Sequence, residues 1–166
     1  VLVIDEIDTQ TAASELKIKL SRYYDDEHTV FLANAKDGTS ETLPLYELDS
    51  AADYAYYTSV VLPPVPLEKK LRYTFADLVT VMDKLRGKNG CPWDKEQTHD
   101  SLKRYLVEES YEVLESIDDN DMNALYDELG DVLLQIVFHA KIAQQHSEFD
   151  VSDITSAICN KMITRH

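Results

Sequence analysis

The chain reads as a multidomain α+β protein, in which a small α+β fragment is followed by an all-α helical bundle. Three observations support this. β-Branched runs are confined to the first 62 residues, Pro63-Pro64-Val65-Pro66 interrupts the chain, and every later segment repeats its apolar residues on a helical period. A proline run is stiff and extended, so it resists joining either neighbour. The boundaries follow as 1–62 for the α+β fragment, 63–72 for the linker and 73–166 for the helical domain.

Taken in order, Val1 to Ile7 is a strand by its β-branched content. Ala13, Leu16, Ile18, Leu20 and Tyr23 recur on a helical period, giving a helix from Thr9 or Thr11 to about Tyr24. Thr29 to Ala33 is a second strand, and Lys36-Asp37-Gly38-Thr39 is a turn. Thr42 to Leu48 and Tyr54 to Leu62 are further strands. Beyond the linker, Thr74 can cap a helix with the apolar stripe Phe75, Leu78, Val79, Met82 and Leu85, which Gly87 to Gly90 ends. Cys91 to Thr98 reads as a loop carrying the only tryptophan. A helical hairpin from about Leu102 to Gln145 follows, turning at Asp118-Asp119-Asn120-Asp121, with Leu106, Val113, Leu114 and Ile117 expected to be buried on its first arm. Leu125, Leu129, Leu133, Ile136, Val137 and Ala140 form the stripe of the second arm. A last helix begins near Val151.

The hairpin carries the chemistry. Glu109-x-x-Glu112 lies on one arm and Glu128-x-x-Asp131 on the other, and a three-residue spacing puts each pair on one helix face, roughly 5 to 6 Å apart. If the chain folds back at the polar cluster, 109 falls level with 131 and 112 with 128, so the carboxylates stack as two rungs. Four like charges so close are destabilising unless their pKa values rise or cations neutralise them. All four are oxygen donors, which suits Mg²⁺, with Mn²⁺ as a substitute, better than zinc or iron. A di-iron bundle would need Glu-x-x-His pairs, and neither arm has a histidine at that spacing. Mg²⁺ is commonly shared with substrate phosphates, so a phosphoanhydride is the expected substrate.

Composition excludes several other classes. A net charge of −15 argues against nucleic acid and anionic membranes as partners. No apolar run approaches the ~18 residues of a membrane helix. The two cysteines, Cys91 and Cys159, form no metal or disulfide pattern, which points to a reducing cytoplasm. Beginning at Val1 and stopping inside an apparent helix, the chain reads as a fragment of something longer.

Each remaining candidate has a plainer reading beside the functional one. Glu108 is either a solvated residue or an outer-shell group or base beside the site. Trp93 is a core plug or a platform for a base. Lys95, Lys161 and Arg165 are surface charges or phosphate-facing cations, Arg165 being suited to bidentate contact. The cysteines lack an activating histidine and read as structural.

Gly90-Cys91-Pro92-Trp93-Asp94-Lys95-Glu96-Gln97-Thr98, then Glu108-Glu109-x-x-Glu112, Glu128-Leu129-Gly130-Asp131 and Lys161-x-x-x-Arg165-His166, in this order, resemble the MazG family of nucleoside triphosphate pyrophosphohydrolases from about Tyr73 to His166. The resemblance implies an all-α enzyme that cleaves between the α and β phosphates to give a nucleoside monophosphate and pyrophosphate. It implies Mg²⁺ on Glu109, Glu112, Glu128 and Asp131, and triphosphate contacts from Lys161 and Arg165. The family continues past His166, so the domain is expected to be truncated at its C-terminus. Leu43 to Asp49 and Thr58 to Pro64 resemble the C-terminal lobe of a tetrapyrrole methylase domain, an arrangement similar to that of known bifunctional bacterial proteins. The four glycines, Gly38, Gly87, Gly90 and Gly130, form no cofactor loop, so this stretch is not expected to methylate.

The expected mechanism is Mg²⁺-assisted attack of water on the α-phosphorus, with Glu108 or a ligating carboxylate taking the proton. Both arms carry apolar residues beyond one face, so a homodimer or higher homo-oligomer built on a four-helix core is expected. The alternatives are a non-enzymatic dimerisation or interaction module attached to a methylase, which would bind no Mg²⁺ saturably, and a hydrolase of a different phosphoanhydride.

Overall fold

The computed structural model describes residues 1–50 and 53–165, so His166 of the last motif lies outside the described residues. Two compact units result, Val1–Thr74 and Phe75–His166, and the proline-rich stretch falls inside the first.

The first unit is a four-stranded antiparallel sheet in the order β1-β4-β2-β3, formed by β1 (Leu2–Ile4), β2 (Thr29–Asn34), β3 (Ser40–Pro44) and β4 (Thr58–Leu62). Helix α1 (Gln10–Leu20) is capped by Thr9, whose hydroxyl accepts from the Ala12 N–H. Alternation fixes the sheet's inner face: Val30 and Leu32 are buried on β2 while Phe31 between them is exposed. These residues share a core with Ala13, Leu20, Leu43, Leu45, Val60 and Leu62. Lys17 and Asp49, half-buried and 2.6 Å apart, tie α1 to the segment after β3.

Four sequence expectations are corrected here. The first strand ends at Ile4, short of the sequence-predicted Ile7. The first helix ends at Leu20 rather than Tyr24. The third strand stops at Pro44, which has no N–H for the ladder; a 3₁₀ turn over Leu45–Glu47 then sends Leu45 and Leu48 into the core. The fourth begins only at Thr58, because Ala55 and Thr58 close a turn in which the Thr58 N–H donates to the Ala55 carbonyl at 2.7 Å and the Thr58 hydroxyl accepts from the Ala55 N–H at 3.0 Å.

The second unit is helical: α2 (Phe75–Leu85), α3 (Pro92–Glu96), α4 (His99–Asp118), α5 (Met122–Gln145) and α6 (Val151–Arg165). Among the described residues, no helix is long and apolar enough to cross a membrane. The sequence-predicted loop Cys91–Thr98 instead contains the single helical turn α3, opened by Pro92 at its first position, where a missing N–H costs nothing. Thr98 then caps α4 reciprocally with Ser101. Between α4 and α5, Asn120 takes a left-handed conformation at φ 54° and Asp121 caps α5 through the N–H groups of Asn123 and Ala124.

Met82, Leu102, Val137, Phe138 and Ile142 form the helical core. The outer parts of the hairpin do not join it. Leu106, Leu114 and Ile117 on α4, expected to be buried, are exposed, as are Leu129, Leu133 and Ile136 on α5. In one copy of the chain these stripes have nothing to pack against.

Arg86, buried at the end of α2, donates to the carbonyl oxygens of Asp94 and Gln97 and, at 2.9 Å, to Oε1 of Gln145, while its guanidinium lies over the Phe138 ring. Lys141 on α5 pairs with Asp83 on α2 at 2.5 Å. Just before α3 the chain passes so close to the end of α2 that a Cβ on Gly90 would fall against the carbonyl oxygens of Leu85 and Lys84. Gly90→Ala is therefore expected to destabilise the helical unit by about 1–3 kcal/mol, measured by denaturant unfolding. A neutral result would show that the backbone there yields freely.

Candidate active site

The hairpin fixes the site's position, since Asp121 caps α5 one residue after a left-handed turn and so sets the register of the two arms. Glu109, Glu112 and Glu128 converge, each offering a carboxylate oxygen within 4.8 Å of the others. Glu109 and Glu128 are half-buried and Glu112 is exposed. Asp131 is exposed, yet it is the charge that weighs most on Glu109.

The electrostatics record the crowding. The Glu109 carboxyl is raised above its ordinary value by burial first, then by the charges of Asp131 and Glu112. Glu128 is raised by desolvation first, then by Glu112, which is close enough to hydrogen-bond with both Glu128 and Glu109. The strongest charged neighbours are thus Asp131 for Glu109 and Glu112 for Glu128. Every charge named in these shifts is acidic. An all-oxygen donor set with unneutralised charge fits a hard divalent cation, and Glu109, Glu112, Glu128 and Asp131 are the residues that would hold it.

The other candidates are distributed around the hairpin. Glu108 is exposed, and its charge acts on Arg104, one turn back along α4. Trp93 is 52% exposed, which removes the reading of it as a core plug. Its ring meets Tyr105 edge-on, with centroids 6.2 Å apart, and Tyr105 stands one turn before Glu109. Trp93 and Tyr105 border an open cleft of about 480 Å³ together with Gln97 and Arg104. Lys95 is exposed and donates to the Lys88 carbonyl at 3.2 Å. Lys161 and Arg165 are exposed on α6. Cys91 and Cys159 are free thiols.

Three features escaped the sequence reading. Arg86 reads as a surface charge but is buried. His139, set aside as lying among apolar or polar turns, meets His99 with Nδ1 atoms 2.7 Å apart and rings parallel, and burial followed by the His99 charge lowers its pKa. Gln135 is buried inside an apolar stripe. Its position was the available signal, since a carboxamide between Leu134 and Ile136 interrupts the stripe.

A hairpin of facing carboxylates on an all-α scaffold defines a metal-assisted hydrolase of the nucleotide class, and residues 97–166 match the MazG nucleotide pyrophosphohydrolase domain. Particular relatives extend the comparison. An uncharacterized protein of Bacillus subtilis, YabN, is 42% identical over 168 residues, covering 99% of this chain and 34% of its own length. The nucleoside triphosphate pyrophosphohydrolase/pyrophosphatase MazG of Thermotoga maritima is 48% identical over 98 residues, covering 59% of this chain and 38% of its own length. The nucleoside triphosphate pyrophosphohydrolase of Escherichia coli K12 is 50% identical over 90 residues, covering 54% of this chain and 34% of its own length. The chain therefore carries a hydrolase domain, and it spans about a third of the length of these curated relatives.

The raised carboxyls give a pH dependence with a definite sign. The folded chain holds these protons more tightly than the unfolded chain, so without metal this cluster costs stability as pH rises from the ordinary carboxylate range through the raised values. Removing the charge removes the cost. In EDTA at neutral pH, Glu109→Gln is expected to melt above the wild type, and the gain should shrink as pH falls into the ordinary carboxylate range. A difference that does not vary with pH would contradict the cause assigned to the shift.

Proposed function

We propose that the helical domain hydrolyses nucleoside triphosphates at the α-β phosphoanhydride, releasing a nucleoside monophosphate and pyrophosphate as a housecleaning activity on the nucleotide pool. The observation that carries this is the convergence of the Glu109, Glu112 and Glu128 carboxylates, with Asp131 acting on Glu109, inside the segment that matches the MazG domain. Relatives named as nucleoside triphosphate pyrophosphohydrolases support the same bond and substrate class.

A bound divalent cation, Mg²⁺ or in its place Mn²⁺, supplies polarisation of the phosphate oxygens and a water of lowered pKa. The chain's own groups do the rest. Glu109, Glu112, Glu128 and Asp131 hold the cation, and Glu108 or one of these four accepts the proton of the water that attacks the α-phosphorus in line. The α-β anhydride breaks and pyrophosphate leaves. Lys95, Lys161 and Arg165 offset phosphate charge, and Trp93, exposed beside Tyr105, offers its face to the base.

The working form is a homodimer in the cytoplasm, acting on small nucleotides and not on nucleic acid or membranes. The exposed stripes of α4 and α5 support the dimer, because a four-helix core made from two hairpins would cover Leu106, Leu114, Leu129 and Leu133. The first unit is assigned as the C-terminal lobe of a tetrapyrrole-methylase-like domain, on the resemblance of Leu43 to Asp49 and Thr58 to Pro64.

Incubation with Mg²⁺ and a panel of nucleoside triphosphates should yield pyrophosphate and monophosphate in equal amounts, and Glu112→Gln should lower kcat/KM by 100-fold or more, on the order of 3 kcal/mol. Orthophosphate as sole product would move the cleavage to another bond. Complete silence, with no saturable Mg²⁺ binding, would favour an interaction module. Sedimentation at micromolar concentration should report a dimer; a monomer would remove the four-helix core.

A further inference from the structure

Gln135 stands on α5 four residues beyond Asp131 and seven beyond Glu128, a spacing that keeps all three on one helix face. The numbering register that sets Glu109 level with Asp131 sets Tyr105 level with Gln135, and Leu102 with Phe138 after that. Leu102 and Phe138 belong to the apolar core. Gln135 therefore occupies the border between the carboxylates and the core.

Its side chain is poorly served there. Gln135 is only 7% exposed and its Oε1 atom has no hydrogen-bond partner among the described residues. A buried acceptor left unpaired costs about 1–3 kcal/mol, and an apolar side chain of the same volume would avoid that cost. The second buried polar atom without a partner on this helix, Nε2 of His139, lies a further turn away on a ring already engaged with His99. Gln135 is the one adjacent to the acidic residues, and the donor it lacks is one the folded chain does not provide.

We propose that Gln135 is a positioning residue of the carboxylate site, its side-chain oxygen accepting a hydrogen bond from a water molecule carried by the divalent cation. The inference rests on the cation-binding reading given above. A cation-bound water is a strong donor, because the cation withdraws charge from its oxygen. An acceptor fixed on the helix below the ligands orients that water and leaves the outward coordination positions to the phosphates. Removing a group that orients a metal's ligand sphere lowers metal affinity by about 10- to 100-fold.

The test is a Mn²⁺ titration of the full chain followed by electron paramagnetic resonance, without nucleotide, on wild type, Gln135→Leu and Gln135→Glu, with thermal unfolding in EDTA alongside. Gln135→Leu is expected to melt at or above the wild-type temperature and to bind Mn²⁺ 10- to 100-fold more weakly. Gln135→Glu keeps an acceptor oxygen at the same reach and is expected to restore tight binding. Wild-type affinity in Gln135→Leu overturns this inference alone, and so does weak binding by Gln135→Glu. If Gln135→Leu melts early, Gln135→Met, unbranched and of similar length, replaces it; early melting of both marks the amide as structural and overturns the proposal. A wild type that binds no Mn²⁺ overturns the cation-binding reading itself.

Discussion

The helical unit depends on one buried guanidinium. Arg86 leaves α2 and enters a place where Asp94 and Gln97 carbonyls, the Gln145 amide and the Phe138 ring all meet it. Those partners belong to the end of α3, the segment before α4 and the last turn of α5. Three elements distant in sequence are thus held by one side chain whose fork of donors matches several acceptors at once. The orientation of Trp93 and the entry angle of α4 follow from it, because both lie within a few residues of the carbonyls that Arg86 engages. Lys141 with Asp83 adds a second tie between α2 and α5.

Against that cohesion stands the hairpin, which draws Glu109, Glu112 and Glu128 together without a cation of its own beside them. The core below, with Met82, Leu102, Val137, Phe138 and Ile142, supplies the stability that this repulsion consumes. The site is held in place by its neighbours and not by its own contacts. Such an arrangement is what a preorganised binding site requires, since the geometry exists before the ligand arrives.

Much of this was readable from residue order. The carboxylate ladder follows from two three-residue spacings and a polar turn between them, both of which are local. The sheet and the helical unit were separable because proline and β-branched residues punctuate the chain. What escaped depends on contacts across long separations. Arg86 and Gln145 are 59 residues apart, and His99 and His139 are 40 apart, so nothing local marks either pair as buried. Strand ends were overestimated where Pro44 and Thr58 carry turn chemistry inside apolar runs. Pro92 at the head of α3 was legible as a helix start but was read as a loop, because five residues are too few for a periodicity. The exposed stripes of α4 and α5 were expected to be covered because apolar period alone does not say whether the covering surface lies in the same copy.

Gly130 sits between Glu128 and Asp131, in mid-helix, with open space where a Cβ would stand. Glycine there weakens α5 by about 1 kcal/mol relative to alanine. In return the backbone between two of the acidic side chains is bare, and an incoming atom can reach van der Waals contact with the main chain itself. The hairpin thus has a notch beside its most acidic stretch, and access to the carboxylates is governed by the shape of the helix as much as by the direction of its side chains.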